Sequence, residues 1–423
     1  MKLFQKFGVT AIASVVVTVM VMGGGAAYAA EVAPGTILTK DNIDKLKSET
    51  LDGHPIGSLL TEKVEWQIRN WGLTMKLGRS KPIIIDPRYI EATKKYSGQV
   101  KFDPSTREVT GYIAGLPFPD ISEKDPNIGD KIMWNFYLSQ LQGSEFSAKA
   151  PWVLIDGNKG LDQVQDYLFT RLWHKNRLVG NPVIGDGSVL TKTLYVATGP
   201  EDVKGTGTFT VRYDQSRFED QFAYIKSARR IRRLSGNAWM DPVGGLGMLN
   251  DDIFIWNSRP SWYRSTKLIG KRWILAITND TQTNYVTSKK GTLDQFPTIN
   301  LKQAPYWNPV GMEYQPREVW VVEGTPPPEH PYSKKIVYVD TQIPTVYLAE
   351  MYDKKGVYWQ HAQFAFRNQK GDDGVMYYPT VEGWHVDFKA KHAAVFLTYD
   401  MTVSDKNFNQ TAFTADIIER IAK

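Results

Sequence analysis

The sequence of 423 residues contains no cysteine, which excludes a disulfide framework, a thiolate nucleophile and a cysteine-ligated metal. After the first thirty residues no apolar run approaches the ~18 to 20 residues of a membrane-spanning helix. Histidine is scarce. His54, His174, His330, His361, His385 and His392 stand singly, without the spacing of a zinc helix or an H-x-H strand pair, and no metal site is predicted. His385-Val386-Asp387 would place two polar side chains on one strand face, a spacing common by chance. No G-x-S-x-G elbow is present. Gly244-Gly245-Leu246-Gly247 lacks the lysine of a phosphate loop and a following helix, and reads as a glycine-rich connection ahead of Asn250-Asp251-Asp252. Charge of one sign is not dominant either: 51 basic residues face 45 acidic ones, for a net +6. So mild a balance argues against a dedicated nucleic-acid binder and is compatible with peripheral contact to anionic lipid head groups. No motif calls for a cofactor.

What is present begins with a leader. Lys2 and Lys6 precede an uncharged apolar run from Val9 to Met22, and Ala27-Tyr28-Ala29 is a small-residue cleavage signal. The expected mature chain starts at Ala30, after cleavage behind Ala29, outside the cytoplasm and by expectation in the periplasm. Without disulfides, its stability must come from a core, which a chain of this length can bury.

The periodicities predict a single domain over 30–423: helix-rich at 30–190, strand-rich at 191–405, with a closing helix at 409–422. In Ser58 to Trp71 the apolar residues Leu60, Val64, Ile68 and Trp71 recur at helical spacing. Asn127 to Gln142 shows a greasier version. Leu161 to Leu172 reads as a third helix, with Val164, Leu168 and Leu172 spaced by four. Proline-fenced pieces at 81–87 and 115–119 cannot be long central elements. From about Thr191 short runs rich in Val, Ile, Thr, Tyr and Trp follow one another, among them 193–197, 208–213, 229–234, 252–256, 273–278, 317–322, 336–339, 345–352, 357–366 and 394–401. Asp353-Lys354-Lys355-Gly356 and Gly371-Asp372-Asp373-Gly374 read as hairpin turns. The fold class expected is mainly β with packing helices (α+β): a large curved antiparallel sheet or incomplete barrel, with helices against it.

Aromatic content is high, with 13 Trp and 21 Tyr. Such rings line hydrophobic cavities, stack on sugars or fill an ordinary core. Read as a strand, Asp252-Ile253-Phe254-Ile255-Trp256 is apolar on both faces, so it is covered on both sides or lines a cavity. On a strand, Arg229-Arg230-Ile231-Arg232-Arg233-Leu234 sends arginine to both faces, which suits a charged, solvated edge or a pair reaching an acidic head group at a cavity mouth.

Taken together, the leader, the run 112–119 (Tyr112-Ile113-Ala114-Gly115-Leu116-Pro117-Phe118-Pro119), the arginine run followed by Trp239-Met240-Asp241-Pro242, Asn250-Asp251-Asp252 and Lys267-Leu268-Ile269-Gly270-Lys271 resemble a family of outer-membrane lipoprotein-sorting-like proteins of Gram-negative bacteria. The resemblance implies a fold of LolA/LolB type, an incomplete antiparallel barrel whose concave face is closed by helices and shelters acyl chains. It also implies work alongside RND-type exporters and outer-membrane channel proteins. The chain departs from that pattern in its greater length and, relative to LolB, in lacking an acylated cysteine, and the resemblance brings no catalytic residues.

The function expected is therefore a binding and carrier protein, not an enzyme, for a hydrophobic small molecule or lipid such as a fatty acid or sterol. Phe254, Trp256 and Tyr347 are the expected lining residues, and Arg230 and Arg232 the expected partners of an acidic head group. Two alternatives stand beside it. A carbohydrate-active hydrolase would need two carboxylates ~5 to 9.5 Å apart in one cleft. A structural adaptor between exporter and channel would need a large exposed apolar patch without a deep cavity.

Overall fold

The computed structural model describes residues 30–225, 230–234 and 238–422. The leader lies outside the described residues, as does Arg229. No helix among the described residues is long and apolar enough to cross a membrane.

One sheet, antiparallel except where Met75–Leu77 pairs with Glu313–Thr325, organises the chain. Followed through its hydrogen bonds, it starts at the edge strand Arg230–Arg233 and passes through Asp220–Ile225, Gly207–Tyr213 and Val189–Gly199 to the long strand Gly160–Trp173. Glu145–Lys149 and Trp152–Asp156 lie end to end along the other edge of that strand. Beyond them come Tyr399–Val403 and His392–Leu397, then Thr380–Asp387, Tyr358–Phe366, Val346–Tyr352, Lys334–Asp340, Glu313–Thr325 and Ser265–Ile277. Past the last strand, the amide of Asp280 donates to the Phe366 carbonyl at 2.9 Å, so the sheet curls back on itself at this end. The other end stays open, because Arg230–Arg233 is paired on one side only among the described residues.

Most connections are tight. Asp353 receives the amide of Gly356 and carries the turn 353–356 with Gly356 at φ 75°. The turn at 371–374 closes the same way, with Gly374 at φ 78°. Both are the left-handed positions that glycine occupies at little cost.

The helix Glu62–Trp71 forms where the periodicity places one. Thr61 caps it by accepting from the Val64 amide at 3.1 Å, Val64 and Ile68 face the core, and Gly72 at φ 62° ends it. It begins later than Ser58 because Leu60 is extended and separates it from the short turn Ile56–Leu59. The helix Ile128–Leu138 is buried on almost every side. A helix at Pro87–Tyr96 follows the proline-fenced piece, with Asp86 accepting from the Arg88 amide and proline in the first turn. At the C-terminus the helix is Asp416–Ala422, and Phe413 packs ahead of it.

Three expectations are corrected. Leu161 to Leu172 is not a helix but most of the strand Gly160–Trp173. A spacing of four is also an even number, so Val164, Leu168 and Leu172 equally share one strand face. The run 252–256 is not a strand: Asn250–Asp252 is one 3-10 turn, and Phe254 and Ile255 both have positive φ, 54° and 71°. The expected strand 394–401 is two, His392–Leu397 and Tyr399–Val403, bent at Thr398.

Both faces of the central strands are covered. On one face Glu382 accepts from the Thr298 hydroxyl at 2.8 Å and Gln363 donates to the Tyr314 hydroxyl at 3.0 Å. The inner face, which carries Phe364, Gly383 and Phe396, meets the helix Ile128–Leu138 and the irregular segment 238–263.

Candidate functional site: an aromatic cavity under a clamped loop

The inner face carries a row of residues opposite one another on four neighbouring strands: Phe364, Gly383, Phe396 and Trp152. Glycine in this row is a matter of space. A Cβ at Gly383 would stand 2.2 Å from the Phe396 ring and 2.7 Å from that of Phe364, so the two rings fold over the bare backbone. Further along the sheet, Phe169 and Tyr195 face each other across a strand pair, Tyr195 stacks on Tyr167 at 4.4 Å, and its hydroxyl accepts from the Trp152 indole. Above this floor the segment 238–263 lowers Val243, Leu246, Met248, Ile253 and Phe254. The enclosed space between lid and floor is narrow, about 40 Å³, and reaches about 600 Å³ only when every gap between the lining atoms and the open mouth is counted. Its wall is almost entirely apolar, with Asp252, His385 and Thr398 as polar exceptions.

A buried ionic cluster holds the lid. Lys335 Nζ, from the strand Lys334–Asp340, lies 2.9 Å from Asp251 Oδ2 and 2.7 Å from Asp252 Oδ1, and donates to the Ile255 carbonyl at 2.9 Å. Tyr263 donates to Asp251 at 2.5 Å and the Tyr332 hydroxyl lies 2.7 Å from Asp252 Oδ2. Asp252 also accepts from the Leu249 amide, and Asp251 from the Ser258 amide. Burial opposes the charges of Asp252 and Lys335, yet their mutual attraction wins: the Asp252 carboxyl sits below its usual range and the Lys335 ammonium above its own. These bonds force the chain through the two left-handed residues Phe254 and Ile255, a conformation costing about 1 to 3 kcal/mol per residue that the cluster offsets. The result is that Phe254 reaches the cavity, 5.3 Å from the Phe169 ring and 6.5 Å from that of Phe396.

His385 is a second polar wall residue. Its Nε2 lies 3.1 Å from Gln360 Oε1. The Gln360 amide nitrogen is committed as donor to Asp387 and to the Gly247 carbonyl, so Oε1 is the acceptor and Nε2 carries the proton. That leaves Nδ1 a bare, buried acceptor without a partner. Burial holds the ring neutral against the pull of Asp252.

Next to the aromatic row runs a polar one. Arg171, Thr193, Thr210 and Gln221 are successive cross-strand partners and line a second hollow that shares Phe169, Tyr195 and Ile253 with the first. Arg171 is 3% exposed. Its guanidinium lies 4.7 Å from the Phe254 ring centre and 5.4 Å from that of Phe169.

Of the five residues expected at the site, the structure brings one, Phe254, to the cavity. Trp256 lies outside the cavity wall: it stacks on Tyr263 at 3.9 Å, donates to the Ser258 carbonyl and covers Gly324. Tyr347 is fully buried elsewhere, its hydroxyl 3.1 Å from Asp340 and its ring against Phe366. Arg230 and Arg232 are exposed on the edge strand and line neither hollow. Sequence reasoning missed Phe146, Trp152, Phe169, Tyr195, Phe364 and Phe396. Strand alternation was the available signal, since Tyr167, Phe169, Arg171 and Trp173 form the second face of a run read as helix. The carboxylates nearest the cavity, Asp251 and Asp252, are both bound to Lys335.

Fold and site together define a mainly β chain whose curled sheet wraps an apolar hollow. It belongs to the DUF1329 family, proteins of unknown function, whose model matches residues 37–418. This agrees with the resemblance carried by the motifs. No curated protein matches by sequence. Among solved structures the chain is similar to a DUF1329 family protein from Desulfovibrio piger, at 17% identity over 65% of this chain and 92% of that one, with a TM-score of 0.43. It is similar as well to a candidate outer membrane lipoprotein-sorting protein domain from Vibrio parahaemolyticus, at 15% identity over 66% and 92% with a TM-score of 0.42. A LolA superfamily protein from Nitrosomonas europaea is similar at 14% identity over 68% and 98%, with a TM-score of 0.40.

Proposed function

We propose that this protein is a periplasmic carrier that holds one hydrophobic molecule, such as a lipid, fatty acid or sterol, between the aromatic floor of its sheet and the loop 238–263. It binds rather than transforms its ligand, and passes it between envelope components. The supporting observation is the near-absence of polar atoms from a cavity walled by Phe169, Phe254, Phe364 and Phe396. An apolar molecule crossing an aqueous compartment gains ~25 cal/mol for each Å² that such a wall takes out of water. An RND-type exporter or an outer-membrane channel protein as hand-over partner, and the periplasmic location itself, rest on the leader and on the resemblance.

The test is native mass spectrometry of the protein purified gently from periplasm, followed by denaturing extraction. A co-purifying lipid, fatty acid or sterol supports the carrier and names its cargo class. An empty protein that also fails to bind an added apolar fluorescent probe contradicts it.

A further inference from the structure

The polar row beside the cavity contains a charge without a counter-charge. Arg171 is buried, and among the described residues no carboxylate lies within ion-pairing distance of it. Its hydrogen-bond partners are neutral: Thr193 Oγ1 at 3.2 Å, Gln142 Oε1 at 3.3 Å and Gln140 Oε1 at 3.4 Å. The neighbouring Arg212 does have a carboxylate, Glu219, at 2.5 Å, and is further tied to Asn257. Two guanidiniums and one carboxylate leave this hollow with one unmatched positive charge.

A buried, unpaired ion is among the most unfavourable arrangements in a protein interior. Desolvation, reinforced by Arg212, pulls the Arg171 pKa down to about 9, so the residue is still a cation at neutral pH and still lacks its anion. The hydroxyls of Thr193 and Thr210 stand beside it in the same row. Phe169, Tyr195 and Ile253 belong to both hollows, so an anion at Arg171 is continuous with the aromatic cavity.

We propose that Arg171 is the head-group site for a monoanionic amphiphile, a long-chain carboxylate, whose tail fills the cavity under Phe254. This deepens the carrier reading and rests on it. The planar guanidinium fork suits a carboxylate held by two parallel hydrogen bonds.

The test is displacement of a bound apolar probe by dodecanoate, methyl dodecanoate and dodecanol at neutral pH, on the purified protein and on Arg171→Met. Dodecanoate is expected to bind the native protein at least about tenfold more tightly than the ester or the alcohol, and Arg171→Met to lose that preference while still binding the probe. Because Arg171→Met removes an uncompensated buried charge, its melting temperature without ligand is expected to rise, and dodecanoate should stabilise the native protein only. Equal binding of acid and ester by a native protein that binds the probe overturns this inference alone. A fall in the melting temperature of Arg171→Met, or its failure to fold, overturns it by showing a structural arginine. Failure of the native protein to bind the probe overturns the carrier reading as well.

Discussion

Lys335 and Asp252 form an ion pair of 2.7 Å in which neither side chain is exposed. The pair joins a sheet strand to the loop that roofs the cavity, so electrostatics and cavity shape are one feature. Replacing Lys335 by Met leaves two buried carboxylates unmatched and is expected to cost about 3 to 5 kcal/mol. Urea unfolding measures the loss. Hydrogen exchange should accelerate first at 249–257, and uniform acceleration would show that the pair does not anchor the loop specifically.

Phe254 and Trp256 are two residues apart and have different work. Trp256→Ala removes a buried ring stacked on Tyr263 and is expected to cost about 3 to 5 kcal/mol, while the protein that remains folded binds an apolar probe with unchanged affinity. Phe254→Ala removes cavity wall and should weaken the probe several-fold for a smaller loss of stability. Thermal melts paired with probe titrations separate the two, and a reversed pattern would place the cavity on the wrong side of the loop.

Gly383 sets the depth of the floor. Gly383→Val puts carbon where the Phe364 and Phe396 rings now close over the backbone, pushing both into the cavity. The expected cost is about 1 to 3 kcal/mol of overpacking together with loss of probe binding. Undiminished binding by the folded variant would show that the ligand does not rest on this row.

Much of the architecture was legible because it rests on local chemistry. The Thr61 cap with Val64 and Ile68 at helical spacing, the turns ending in Gly356 and Gly374, and most of the β-branched and aromatic runs after Thr191 fold as their sequences suggest. Gly160–Trp173 was misread because spacings of four satisfy both periods, and only the second face, Tyr167, Phe169, Arg171 and Trp173, tells a strand covered on both sides from a helix. At 252–256 the β-rich composition was overridden by tertiary bonds: Asp251 and Asp252 seize Lys335, and the backbone turns to serve them. The importance of Arg171 had no local signal at all. Asp162 and Asp166 precede it in sequence, but along the strand they alternate to the opposite face, a separation visible only once the run is read as a strand.

His361 offers a pH test of the core with a definite sign. Both its ring nitrogens are buried without partners, and burial, followed by the neighbouring His385, brings its pKa to about 3 from an ordinary 6.5. The unfolded chain therefore binds a proton at this residue between pH 6.5 and about 3 that the folded protein refuses. Stability must fall as pH drops through that window, by about 1.4 kcal/mol per pH unit from this residue. Other buried groups act in the opposite sense: Glu145, raised to about 6 mainly by burial, keeps a proton in the folded state that it loses when unfolded. A whole-protein pH profile mixes these effects, whereas the difference between the native protein and His361→Leu isolates one. That difference is expected to shift steadily in favour of the variant as pH is lowered from 6.5 towards 4, in urea unfolding at fixed ionic strength. A difference that stays flat with pH would mean that His361 finds a partner or water in the folded protein.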